Sequence, residues 1–137
     1  MIGKLSNSRK QGDPGVALAV AWFATHGYTV SIPLSDCQPY ALVVDCGGVL
    51  QRVFVRTSTV REKRQYGRMG AFTFSLRTMG GNKTQFRIRQ FDPTAVEVLY
   101  LICGDGTQFL IPVAAVTSRS FITMGQKYIS YKVVSSG

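Results

Sequence analysis

Apolar and polar residues recur in this chain with two periods, one helical stretch followed by a series of strand-like ones. In GVALAVAWFATHGY, residues 15–28, the apolar positions Val16, Ala19, Val20 and Phe23 return at three- and four-residue steps, which is the period of a helix. Asp13 can cap the free N–H groups, Pro14 suits the first helical position, and Gly27 predicts the end. The alanines let such a helix lie close against a sheet, with Trp22 and Phe23 as packing bulk. His26, beside the terminating glycine, reads as a C-terminal cap rather than a base.

From Tyr28 onward the period changes to two. YTVSIPL, residues 28–34, predicts a short strand that Pro33 confines to an edge or an end. PYALVVDCGGVLQRVFVRTST, residues 39–59, predicts two strands joined by a tight turn. Its apolar run Ala41 to Val44 meets Asp45-Cys46-Gly47-Gly48, where the paired glycines supply the positive φ angles of a reversal. In the second strand Val53 and Val55 point one way and Arg52, Phe54 and Arg56 the other. Phe54 and Arg56 are thus presented together.

VREKRQYGRMGA, residues 60–71, has the charges and glycines of an exposed turn or flexible loop. FTFSLRT, residues 72–78, predicts a strand, Met79-Gly80-Gly81-Asn82 a turn, and TQFRIRQ, residues 84–90, a return strand with Phe86 and Ile88 on one face and Arg87 and Arg89 on the other. Asp92-Pro93 begins a short helical turn, and the apolar run Val96 to Cys103 suits a strand buried on both faces. Gly104-Asp105-Gly106-Thr107 lacks the lysine of a phosphate-binding loop and reads as a β-turn into Gln108 to Ile111. VAAV, residues 113–116, predicts a brief helix, and KYISYKVV a last strand or docked extension. The sum is an α/β chain with helices packed on a mixed central sheet. No repeat or long linker divides it, so residues 1–137 are expected to form one domain, with 1–12 as a basic arm.

Composition narrows the partner. Sixteen Lys and Arg against seven Asp and Glu leave a net charge of +9, a field that attracts polyanions, nucleic acid first among them. An anionic membrane is the weaker reading, because the cations lie among strands and loops rather than on one amphipathic helix. With no long apolar run and no signal-peptide core, an intracellular, cytoplasmic protein without membrane contact is expected. Cys37, Cys46 and Cys103 have no CxxC spacing and His26 is the only histidine, so they read as reduced thiols rather than a zinc site. Lys63, Arg64 and Arg68 follow the first hairpin, and Arg77, Lys83, Arg87 and Arg89 surround the second. These seven are the candidate nucleic-acid contacts. Tyr66 can stack on bases, whereas Phe72, alternating with Phe74, reads as core.

Several strings in order resemble the PD-(D/E)xK nuclease superfamily, and within it the small proteins related to homing endonucleases and Holliday-junction resolvases. They are GDPGVALAVAWFATHGYTVSIPLSD, PYALVVDCGG, RVFVRTST, FSLRTMGGN, QFDPTAVEVLYLICGDGTQFLIP and ITMGQKY. The resemblance implies a restriction-endonuclease-like core, DNA as partner, a prokaryotic or phage-encoded source, and a homodimer or higher homo-oligomer, since related nucleases act on two strands through symmetry. Such nucleases use an acid on the first helix, an aspartate on the first hairpin strand, and an (acid or Gln)-x-Lys element on the second, the carboxylates holding Mg²⁺.

Here the matching positions are Val16, Ala41, Phe54 and Arg56. Three of the four lack the oxygen a hard cation needs, and Arg56 keeps the positive charge in a form suited to gripping phosphate. The resemblance therefore implies a DNA-binding protein that has lost metal-dependent hydrolysis, with no cofactor. Two alternatives stand beside it. One is an active Mg²⁺-dependent endonuclease with relocated ligands, Asp45 being the first candidate acid. The other is a protein-interaction module of a mobile element or phage.

Overall fold

The computed structural model describes residues 13–35, 37–80 and 87–133. The expected basic arm, Asp36, Lys83 and Phe86 lie outside the described residues. The chain opens with helix α1 (Pro14–Thr25), whose N-cap Asp13 accepts hydrogen bonds from the amides of Gly15 at 2.8 Å and Val16 at 3.4 Å. Gly15, Val16, Ala19 and Phe23 form its buried face. A Cβ on Gly15 would stand 2.5 Å from Cγ2 of Thr57, so glycine is what lets the first turn rest on the sheet. The helix closes at His26, whose Nδ1 lies 2.7 Å from the Trp22 carbonyl while its ring stacks on Trp22. Gly27 then reverses the chain at φ +86°.

Eleven strands follow among the described residues: β1 (Thr29–Ser31), β2 (Leu42–Cys46), β3 (Val49–Ser58), β4 (Arg61–Lys63), β5 (Met69–Ser75), β6 (Thr78–Gly80), β7 (Arg87–Arg89), β8 (Val98–Cys103), β9 (Gln108–Pro112), β10 (Phe121–Thr123) and β11 (Lys132–Val133). The central sheet has the order β1-β2-β3-β8-β9-β11. It is mixed, because β3 and β8 run parallel, Val53 opposite Val98 through Ser58 opposite Cys103, while every other neighbour is antiparallel. Strand β1 lies at an edge, where Pro33 is tolerated. The turn between β2 and β3 has Gly47 at φ +63° and Gly48 at φ +90°, the two positive angles its sequence predicts.

The two faces of this sheet are covered differently. One packs on α1: Val16, Ala19 and Phe23 meet Leu42, Val44, Val53, Val98, Tyr100 and Ile102. On the other, Phe54, Leu99, Leu101, Phe109 and Ile111 meet Phe74, Leu76, Ile122 and Met124, which belong to or adjoin a second sheet of order β10-β5-β4. Every residue of β8 is buried, as its apolar run predicts for a strand between two covered faces. The expected mixed α/β architecture is present; α1 is the single α-helix among the described residues and covers one face of the central sheet, and strands cover the opposite face.

Other departures share a cause, tertiary pairing that short-range pattern does not encode. The segment 60–71, expected as a loop, forms most of the β4–β5 hairpin, with a 3₁₀ turn at Gln65–Gly67. The Asp92-Pro93 helical turn is instead an Asp-capped turn in which Asp92 accepts from both the amide and the hydroxyl of Thr94. VAAV does form the brief helix expected, of the 3₁₀ kind, over Val113–Ala115. Most of KYISYKVV lies in another at Gln126–Tyr131, leaving two residues for β11. Strand β10 had no clear alternation. It forms because Ile122 drops into the core opposite Phe74.

The parallel pair is fastened where it begins. Glu97 accepts from the amide of Arg52 at 2.6 Å, from its Nε at 3.0 Å and from its Nη2, while the Arg52 carbonyl accepts from the amide of Glu97 at 3.0 Å. The Arg52 guanidinium holds the Glu97 carboxyl below its ordinary value of 4.5. A depressed carboxyl contributes stability that is present above the unfolded-state value and lost as pH falls through the folded one. Thermal melts from pH 7 to pH 3 should therefore show a drop below about pH 4.5 that is shallower in Glu97→Gln. Parallel acid profiles in the two proteins would refute the clamp.

Candidate functional site

Strand β3 positions the motif residues. Phe54 and Arg56 are two apart and share the face turned away from α1, as their alternation predicts. Phe54 is only 2% exposed and packs edge-on against Phe91, with ring centroids 5.4 Å apart. The Arg56 guanidinium lies over the Phe54 ring, 4.6 Å from its centroid, and its Nη1 donates to the carbonyl of Arg77 at 3.2 Å. Burial pushes its pKa down, yet a guanidinium stays protonated at any working pH. Arg56 forms no ion pair among the described residues. It is a half-buried cation with free donor capacity, held in place by a ring beneath it.

Two hollows meet at Arg56. The first, of about 600 Å³, runs from the N-terminal end of α1 past the hydroxyl-bearing residues Thr57, Ser58, Thr59, Thr73 and Ser75. The second, of about 350 Å³, is lined by Arg56 together with Phe54, Arg89, Gln38 and Asp92. The Arg77 guanidinium lies 4.7 Å from the centre of the ring of Phe121, which lines the first hollow, and the Arg77 carbonyl accepts from Arg56. Arg56, Arg77 and Arg89 are thus brought together. Arg87 pairs with Gly80 through the backbone of β7. Lys63, Arg64 and Arg68 form a separate exposed group at the β4–β5 tip. The hydroxyls around Arg56 were missed in the sequence because their alternation on β3 and β5 carries no motif.

The acids do not gather. Of the seven, Asp36 lies outside the described residues, and each of the other six has a partner of its own. Asp13 caps α1. Asp45 accepts from the Gly48 amide at 2.8 Å and closes the hairpin turn. Glu62 pairs with Arg64 at 3.3 Å, Asp92 with Thr94, Glu97 with Arg52, and Asp105 with the Thr107 amide. Asp45 stands opposite Leu50, six residues before Arg56, so roughly 20 Å of strand separates it from the cation.

Val16 is buried against the sheet, and Ala41, whose amide donates to the Val53 carbonyl, packs on the α1-side cluster. Among the described residues no three His, Cys, Asp or Glu side chains could share an ion. The motif positions do not fit a hard divalent cation, which takes six or more oxygen ligands, largely carboxylate.

The chain thus presents a mixed sheet with a helix against its β2–β3 hairpin and a cationic group on β3 beside a cleft. The chain belongs to the PD-(D/E)XK endonuclease family, whose profile matches residues 6–127. In fold it is similar to a bacterial homing endonuclease, I-Ssp6803I, with a TM-score of 0.67 and 18% sequence identity over 96% of this chain and 89% of the other. Among curated proteins no match is found. No helix among the described residues is long and apolar enough to cross a membrane.

Proposed function

We propose that this chain is a DNA-binding member of its family that does not hydrolyse the phosphodiester by the carboxylate-held metal route. The observation that carries the reading is the state of β3: Phe54 has joined the core where a ligand would stand, and beside it Arg56 retains an unpaired positive charge. A guanidinium with free donors, next to Arg77 and Arg89 and lined by hydroxyls, is suited to phosphate oxygens. The net charge of +9 supplies the long-range attraction, and the homing-endonuclease fold makes duplex DNA the first partner to test.

Binding of a fluorescent duplex across 50 to 300 mM salt, roughly the range over which counterion release acts, is the direct test. The logarithm of the affinity should fall steeply and linearly with the logarithm of salt concentration. Plasmid and junction DNA incubated with Mg²⁺ or Mn²⁺ should remain uncut. No binding at the lowest salt would end the reading, and so would cutting that Asp45→Asn abolishes, since that result belongs to a relocated metal site.

A further inference from the structure

The β4–β5 hairpin ends in a tight turn whose central residues, Tyr66 and Gly67, both have positive φ, as a type I′ hairpin turn requires. Its tip, Arg64 to Arg68, is closed by the Arg64 amide donating to the Arg68 carbonyl at 2.9 Å and the Arg68 amide to the Gln65 carbonyl at 3.4 Å. Within that closed turn Tyr66 has φ 62° and ψ 30°. It is the single non-glycine residue at positive φ among those described. The left-handed region disfavours any residue with a Cβ, aromatic ones included. Gly67 follows at φ +69°. Where such a turn usually carries Asn, Asp or Gly, this one carries an aromatic ring that is 95% exposed.

The surroundings of Tyr66 indicate its ligand. An open hollow of about 460 Å³ is lined by Arg64, Gln65, Tyr66 and Arg68. An aromatic face thus stands among two guanidinium groups and an amide, with Lys63 adjacent in sequence. Arg64 is steadied by Glu62, whose side chain lies over Gly70, where a Cβ would come within 2.3 Å of it. Arg68 and Lys63 form no ion pair among the described residues. At the hairpin's base, Arg61 of β4 lies over the Phe72 ring of β5 and donates to the Gly70 carbonyl at 2.8 Å, which braces the two strands against each other.

We infer that the β4–β5 tip is a second, separate nucleic-acid site, in which Tyr66 stacks on an unpaired nucleobase while Arg64 and Arg68 hold the flanking phosphates. A paired base offers its face only to its neighbours in the stack, so an exposed ring gains most where a base is already free. This inference rests on the nucleic-acid reading of the Arg56 face and gives it a preference for bulged, flipped or single-stranded positions.

The test compares one duplex with the same duplex carrying a single extrahelical 2-aminopurine, in DNA and RNA versions. Wild-type protein should bind the bulged DNA or RNA about tenfold or more tightly than the paired control, with quenching of the 2-aminopurine emission. Tyr66→Ala should abolish the quench and bring the affinity for the bulged substrate down to that for the paired duplex, and Tyr66→Phe should retain both. Tyr66→Gly relieves the backbone, so it should melt no lower than wild type and still lose the preference. Equal affinity for paired and bulged substrates, or a preference that survives Tyr66→Ala, overturns the inference while the Arg56 reading stands. If wild-type protein binds neither substrate at low salt, both readings fall.

Discussion

Exchanging Phe54 for glutamine, which returns an oxygen to the motif position, is expected to cost the fold about 3–5 kcal/mol and to yield no nuclease. The ring is 2% exposed, sits edge-on against Phe91 and belongs to the cluster that joins the two sheets. Removing it opens a cavity, and the introduced amide enters an apolar site with no partner waiting. The variant also loses the surface on which Arg56 rests. Urea unfolding should show a large fall in midpoint with little change in slope. Phe54→Leu, which keeps the site apolar, should lose much less. The triple variant Ala41→Asp, Phe54→Gln, Arg56→Lys should remain inactive with Mg²⁺. Cleavage by that protein, or a midpoint unchanged in Phe54→Gln, would show that the ring is not structural and that the site is only lightly altered.

Arg56→Met should separate stability from binding. Arg56 is a partly buried cation with no carboxylate partner among the described residues, and burial depresses its pKa, so keeping it charged costs the folded state. An apolar chain of similar length removes that cost, and the melting temperature should rise by a few degrees, about 1 kcal/mol. Duplex affinity should fall by roughly ten- to a hundredfold, the worth of a charge-assisted contact of about 1.5–3 kcal/mol, and the salt slope should shrink by about one phosphate. A variant that is both more stable and equally good at binding would remove Arg56 from the interface.

Much of the architecture could be read from local pattern because local rules act there. Asp13-Pro14 and Gly27 bound α1, the Gly47-Gly48 pair sets the hairpin turn, and the unbroken apolar run of β8 marks a strand covered on both sides. The order of the matching strings carried the family. What escaped was set at a distance: 60–71 pairs into a sheet because Thr73 and Phe72 offer partners, and β10 exists because Ile122 fills a gap beside Phe74.

The site divides in the same way. The alternation on β3 was enough to put Phe54 and Arg56 on one face. Nothing local says that the Phe54 ring would carry the guanidinium, or that each described acid would already be engaged. Asp45 looked available on its strand, and only the turn hydrogen bond from Gly48 shows that it is engaged.

The parallel seam between β3 and β8 bears on how the chain reaches its native state. The pairs β2–β3 and β8–β9 are hairpins whose partners are near neighbours in sequence, so each can close early. Joining them requires Arg52 to find Glu97, 45 positions away, at a loop-closure cost of roughly 3 kcal/mol in chain entropy. Long-range pairing of this kind governs folding speed. The Arg52–Glu97 clamp stands at the first step of that pairing, immediately before Val53 meets Val98, and favours that register. The strand that carries Arg56 into the cleft is thus also fastened to β8 by an ion pair four residues before that cation.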